Sequence, residues 1–327
     1  MISNRVSSWA RLSIGAGILA FLVVRMGPAP FLDALSSIGG WPLAAACAIG
    51  ALTTVCCAWR WSLVAEGMGI RVPLPAAVGA YYRSQFLNAT LPGGLLGDVH
   101  RGVRHGREVG AVGRSLRAVA WERSLGQVVQ LSLTALVLLL WPSPANTFLP
   151  LVPVLAGVLA GAAATALVVL RWMRRPRRRP GAVARTVATV AGDLRAVARV
   201  PQAVPRIALA STVVVGGHAA VFVIAARASG VSVPLERLLP VAMVVLLASA
   251  IPTNIAGWGP REGAAAWAFG AVGLTAAQGV TTAVVFGVMA LVATLPGAAV
   301  LVAVRAHRPR QPGHRNGPVL LADATHA

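Results

Sequence analysis

Two stretches of the chain set acids and arginines just beyond a cluster of helix breakers. The first runs from Asn88 through Pro92, Gly93, Gly94 and Gly97 to Asp98 and Arg101; the second runs from Pro252 through Gly257, Gly259 and Pro260 to Arg261 and Glu262. Gly97 and Arg101 lie five and nine residues beyond Pro92, and Gly257 and Arg261 stand at the same offsets from Pro252. The acids do not register, since Asp98 is at the sixth position and Glu262 at the tenth. A guanidinium offers a planar fork of donors suited to phosphate and carboxylate. Helices that restart after a break direct the positive ends of their dipoles into the protein and favour anions there. Pro260 suits a first helical position, where its missing N–H would have no partner in any case.

Asp98 and Arg101 are three apart and share a helix face, so they can pair with each other. Arg261 and Glu262 are adjacent and point in different directions. The expected pairing joins Arg261 to Asp98 and Glu262 to Arg101, face to face. Two readings stay open at this point: the four charges grip a headgroup, with Asn88 beside them, or they neutralise one another and only fix the fold. Charges inside a span cost about 2.5–3.5 kcal/mol each on insertion scales, which favours a functional reading.

The elements that must carry these residues are membrane helices. The chain of 327 residues is 57% apolar and 12% charged, with a mean hydropathy of +0.73, and it holds several apolar runs near the length a bilayer needs. The fold class expected is therefore an all-α polytopic membrane protein. Its candidate spans are 9–24, 41–59, 119–141, 149–170, 207–226, 238–256, 263–274 and 276–304, within a transmembrane domain of 9–305. Residues 1–8 form the amino terminus, and the Pro-, His- and Arg-rich tail 306–327 is expected to be disordered. The net charge of +20 does not indicate nucleic acid, because the excess sits at junctions between apolar runs, as the positive-inside rule requires. All 29 basic residues are Arg. Ten of them fall in the connection 171–206, which puts that connection, 101–117 and both termini in the cytoplasm of a multi-pass cell-membrane protein. Eight spans satisfy this orientation only if 75–99 enters and leaves on one side, as a re-entrant hairpin, with a broken helix at the second motif. Within the basic connection, 183–200 has the spacing of a surface helix lying against anionic lipid.

Other polar residues rank second. Glu122 and Arg123 open the third span as interfacial anchor or cavity carboxylate and partner. Arg83, Gln85 and Asn88 polarise one arm of the hairpin. Tyr81 and Tyr82, with Trp9, Trp41, Trp59, Trp61, Trp141 and Trp172, read as interfacial anchors, and Arg25 and Arg60 as snorkelling side chains. His218 is expected to hydrogen-bond within the bundle, and Pro296-Gly297 to kink the last span. Cys47, Cys56 and Cys57 lack ligand spacing and suggest neither disulfide nor zinc. No phosphate loop, nucleophile elbow or metal-spaced His pair is present, so no catalytic residue, metal or cofactor is assigned.

At these motifs the chain resembles the flippase-like family built on the transmembrane region of lysylphosphatidylglycerol synthase, over residues 10–305 or so. The resemblance rests on Asn88, Pro92, Gly93, Gly94, Gly97, Asp98 and Arg101, on Glu122 and Arg123, on Pro252, Gly257, Gly259, Arg261 and Glu262, and on Pro296 and Gly297. Leu96 and Pro260 depart from the residues more usual there. The resemblance implies transport of a phosphate-bearing or polyisoprenoid-linked lipid between leaflets. Arg101 and Arg261 would grip the headgroup, while Asp98 and Glu262 hold those arginines or compete for them. The soluble aminoacyl-transfer domain of full-length synthases is expected to be lacking, so a separate synthase or glycosyltransferase would make the lipid. Two alternatives remain: a membrane glycosyltransferase with Asp98 as base, and a non-catalytic partner of a synthase.

Overall fold

The computed structural model describes residues 38–91, 94–140, 150–151, 153, 157, 182–250 and 259–306. The elements there are all helical: α1 (Gly40–Gly67), α2 (Leu74–Thr90), α3 (Leu96–Glu108), α4 (Val112–Leu140), α5 (Ala182–Arg199), α6 (Ala203–Ala228), α7 (Leu235–Ser249), α8 (Pro260–Ala271), α9 (Ala276–Thr294) and α10 (Pro296–Ala306). Among the described residues, four helices are long and apolar enough to cross a membrane: α1, α4, α6 and the run Ala276–Val302 through α9 and α10. At most 39% of the most apolar window in any of them is buried within the protein, so their remaining surface, including Leu52, Leu139 and Leu209, is open to lipid. The expected spans 9–24 and almost all of 149–170 lie outside the described residues, as do Pro92, Gly93, Pro252, Gly257, the termini and the arginine cluster before α5.

Where the helices are described, several run past the limits read from hydropathy. The second expected span stops at residue 59, whereas α1 continues to Gly67. The third starts at 119, whereas α4 starts at Val112. Both extensions carry polar residues that water-to-lipid transfer would reject, and both are held by pairing inside the protein. Arg60 and Glu122 thereby move from helix ends into helix interiors. At the first motif, α2 and α3 pack together as a helical hairpin about a turn in which Gly94 adopts a left-handed φ of 61°. The second motif likewise separates two helices that pack on each other: α7 and α8 have 15 and 12 residues, or roughly 22 and 18 Å, each short of the ~30 Å hydrocarbon core. Helix α10 begins at Pro296 and packs on α2, consistent with the expected kink.

The buried apolar residues fall into two clusters. One joins α6, α7, α8 and α9 through Phe222, Phe269, Phe286, Val245 and Met289. The other joins α1, α2, α4 and α5 through Trp61, Val64, Ala77, Ala118 and Val197. Helix α5 is the expected surface helix, yet it is docked by side chains as well. Asp193 accepts from Arg117 Nε at 2.8 Å and from the Trp121 indole at 3.2 Å, both on α4.

Candidate functional site

Where α1, α2, α3 and α4 meet, five charged side chains form one network. Glu122 is fully buried and stands at its centre. One of its oxygens accepts from Arg60, whose Nε lies at 2.9 Å and whose Nη2 makes a second contact, and from the Tyr81 hydroxyl at 3.1 Å. The other accepts from Arg101 Nη2 at 3.1 Å. Asp98 is saturated too: Ser84 and Arg101 donate to Oδ1 at 3.0 and 3.1 Å, and Asn88 and Arg123 reach Oδ2 at 2.9 and 2.5 Å. Asn88 also accepts the Gly97 N–H at 2.8 Å, which clamps the start of α3 to the end of α2.

Three guanidiniums, Arg60, Arg101 and Arg123, thus face two carboxylates, Glu122 and Asp98, leaving one uncompensated positive charge. Arg101 is 1% exposed and is held between aromatic faces, 4.5 Å from the Trp61 ring centroid and 4.2 Å from that of Tyr81. Its Nε and Nη1 have no acceptor, and the negative ring faces compensate in part. Space for Arg60 comes from Gly126, because a Cβ there would lie 2.7 Å from Arg60 Nη1. Arg60 Nη1 donates to Ser211 on α6 at 2.9 Å, which ties the network to the second half of the bundle.

Beside the network lies a cavity of about 380 Å³, within the usual range for small-molecule sites. Its wall grades from apolar to cationic along α1, whose cavity face carries Ala46, Ile49, Thr53, Thr54, Cys57 and Arg60. These positions share one stripe some 21 Å long. Helix α4 contributes Arg123, Gln127 and Gln130, and α2 contributes Gln85 and Asn88. Helices α6, α7 and α9 close the far side with Val214, His218, Leu246, Phe286 and Met289.

The second motif is built differently from the expectation. Arg261 pairs with its own neighbour, Nε and Nη2 lying 2.9 and 2.5 Å from Glu262 Oε1. Glu262 Oε2 accepts the Gly259 N–H at 2.6 Å and so caps α8, behind a backbone at φ 115° that side chains with a Cβ rarely adopt. The predicted cross-pairs are therefore replaced: Asp98 takes Arg101 and Arg123, and Arg101 takes Glu122. The reason is local reach. Helix α8 packs on α7 and α9, whereas α3 packs on α2 and α4.

Of the candidate residues, Asn88, Gly94 and Arg123 line the cavity. Asp98, Arg101 and Glu122 sit behind that wall, and Arg83, 6% exposed, lies elsewhere on α2. Arg261 approaches the cavity at one remove, its guanidinium 5.6 Å from the centroid of the lining Phe286. Three expected interfacial residues are internal: Arg60 is paired, Tyr81 holds Glu122, and Trp61 covers Arg101. His218 binds the Val214 carbonyl at 2.9 Å, as expected, and also faces the cavity.

Residues 8–297 match the family described as the lysylphosphatidylglycerol synthase TM region. The chain belongs to that family. As a member of the lysylphosphatidylglycerol synthase TM-region family it is a membrane-embedded, multi-pass protein whose role concerns membrane lipid. None of the curated proteins compared with it matches. The match spans both motifs and the Glu122-Arg123 pair, so the charged network and the cavity both fall inside the family region.

Proposed function

We propose that this protein passes a phosphate-bearing or polyisoprenoid-linked lipid between the leaflets of the cell membrane, seating the headgroup in the cavity beside Arg60 and Arg123. The observation that carries this reading is the amphipathic cavity with its cationic end. Arg123 is the key group, because it both lines the cavity and contacts Asp98. A lipid phosphate competes with Asp98 for that guanidinium, and exchange between the two partners supplies the two states that alternating access needs. Arg101, Arg261 and Glu262 act in this scheme as supports for the cavity wall. In the accompanying topology both termini are cytoplasmic, and a separate synthase or glycosyltransferase makes the lipid.

The glycosyltransferase reading is less well supported, since both oxygens of Asp98 already hold two donors each and are poorly placed to act as a base. The deciding experiment is leaflet exchange of fluorescent phosphatidylglycerol and a polyprenyl phosphate in proteoliposomes. Wild-type protein accelerates exchange of at least one of them, and Arg123→Gln slows it by about tenfold to a hundredfold, the worth of one hydrogen bond to a charged group. Exchange at the rate of empty vesicles with both lipids overturns the proposal.

A further inference from the structure

We propose that the cavity selects lipids whose headgroup is an anionic phosphate bearing neutral hydroxyl groups, and rejects headgroups that carry a free ammonium, including the aminoacylated lipid in the family's name. This rests on the headgroup being seated in the cavity.

The first observation is electrostatic. The charged groups lining the cavity are Arg60 and Arg123, and no carboxylate lines it among the described residues. Asp98 and Glu122, the acids that the two lining arginines contact, are occupied by three arginines that outnumber them by one. Glu262 is engaged by Arg261 and by the Gly259 N–H, while Glu66, Glu108 and Glu236 are exposed on other parts of the surface. The stretch 251–258, which precedes α8, contains no Asp or Glu. An ammonium entering this space meets like charge and, among the described residues, no lining carboxylate, and at low dielectric that repulsion is strong. A phosphatidylglycerol headgroup bears one negative charge. Adding a lysyl ester adds two ammonium groups and turns the same headgroup positive.

The second observation concerns neutral hydrogen-bonding capacity. Gln127 and Gln130 follow Arg123 by four and seven residues on the same face of α4, line the cavity, and make no side-chain hydrogen bond among the described residues. Gln85 uses only its carbonyl, accepting from Thr54 at 2.9 Å. His218 uses Nδ1 on the Val214 carbonyl, so the neutral ring keeps Nε2 as an acceptor. Carboxamides and a neutral imidazole next to two guanidiniums match a phosphate flanked by hydroxyls, which both donate and accept. The Gln127 and Gln130 amides are half-buried and accessible in the cavity, so a ligand with hydroxyl groups can bond them without displacing a protein partner.

The test is equilibrium binding to the detergent-solubilised full chain, read by native mass spectrometry and by competition. The probes are dioctanoyl phosphatidylglycerol, phosphatidylethanolamine and lysylphosphatidylglycerol. The expected order is phosphatidylglycerol first, phosphatidylethanolamine second and the lysyl lipid last, with about tenfold or more between first and last. Gln127→Glu places a carboxylate in the cavity and narrows or reverses that order, and Gln130→Glu does the same if the first variant fails to fold. Equal or tighter binding of the lysyl lipid to the wild type overturns the inference while leaving transport untouched. The expected order without any leaflet exchange upholds the inference and removes transport. Binding of none of the three overturns the inference and leaves transport of a polyprenyl-linked lipid to the exchange assay.

Discussion

At the scale of single residues, the network turns on Glu122. Its carboxylate is the only acid shared by Arg60 and Arg101 among the described residues, and its desolvation is compensated by those two cations and the Tyr81 hydroxyl. Removing one partner of a buried pair leaves the other uncompensated and costs about 3–5 kcal/mol. Glu122→Gln is therefore expected to destabilise the protein by about that amount in detergent unfolding experiments. Glu262→Gln strips the counter-ion from one buried arginine rather than two and keeps a carbonyl for the Gly259 N–H, so it is expected to fall at the lower end of that range or below it, and to cost less than Glu122→Gln. Equal losses would show that the two acids are not distinguished by the number of arginines they hold. The sequence made Asp98, Arg101 and Asn88 visible because they stand near breakers, and Arg123 because it follows Glu122 at the start of an expected span. It hid Arg60, since an arginine flanked by Trp59 and Trp61 reads as the end of a span. Glu122, 62 residues away, and Ser211 on α6 keep it inside.

At the scale of elements, helix type and order were legible from hydropathy and breakers, and α6 and α9 begin close to where they were expected. Helix ends were less legible, because α1 and α4 each extend beyond their apolar runs along faces that pack rather than meet water. The pairing of the two motifs failed for a related reason: offsets along a chain carry no information about which helix a side chain reaches. Helix α5 is the informative case. Its spacing predicted a surface helix, and its buried acid, Asp193, anchors it to α4. Asp193→Ala removes the acceptor for both Arg117 and Trp121. Amide hydrogen exchange across Ala182–Arg199 is then expected to rise by about tenfold or more, with α6 unchanged, since local opening tracks the contacts that hold a segment. No change in α5 would mean that its apolar face alone secures it.

For the whole molecule, the asymmetric placement of arginine predicts orientation. In a variant lacking Cys47, Cys56 and Cys57, a cysteine replacing the exposed Arg107 in α3 is expected to react with membrane-impermeant reagent only from the cytoplasmic side. One replacing the exposed Glu236 at the start of α7 is expected to react only from the opposite side. Labelling of both from one face would overturn this topology, and labelling of each from the side opposite to that expected would reverse it. The two halves of the bundle also differ in what binds them internally. Around α1, α2, α3 and α4 the cement is directional: forked guanidiniums, a clamping amide and the Gly126 notch that seats Arg60 against the backbone of α4. Around α7, α8 and α9 the packing consists mainly of Val, Ala, Met and Phe, whose contacts tolerate sliding. If the molecule rocks, the notched half is the anvil and the greasy half the hammer. Spin-label distances between α1 and α4 should then stay fixed, while those from either helix to α9 broaden when lipid is added.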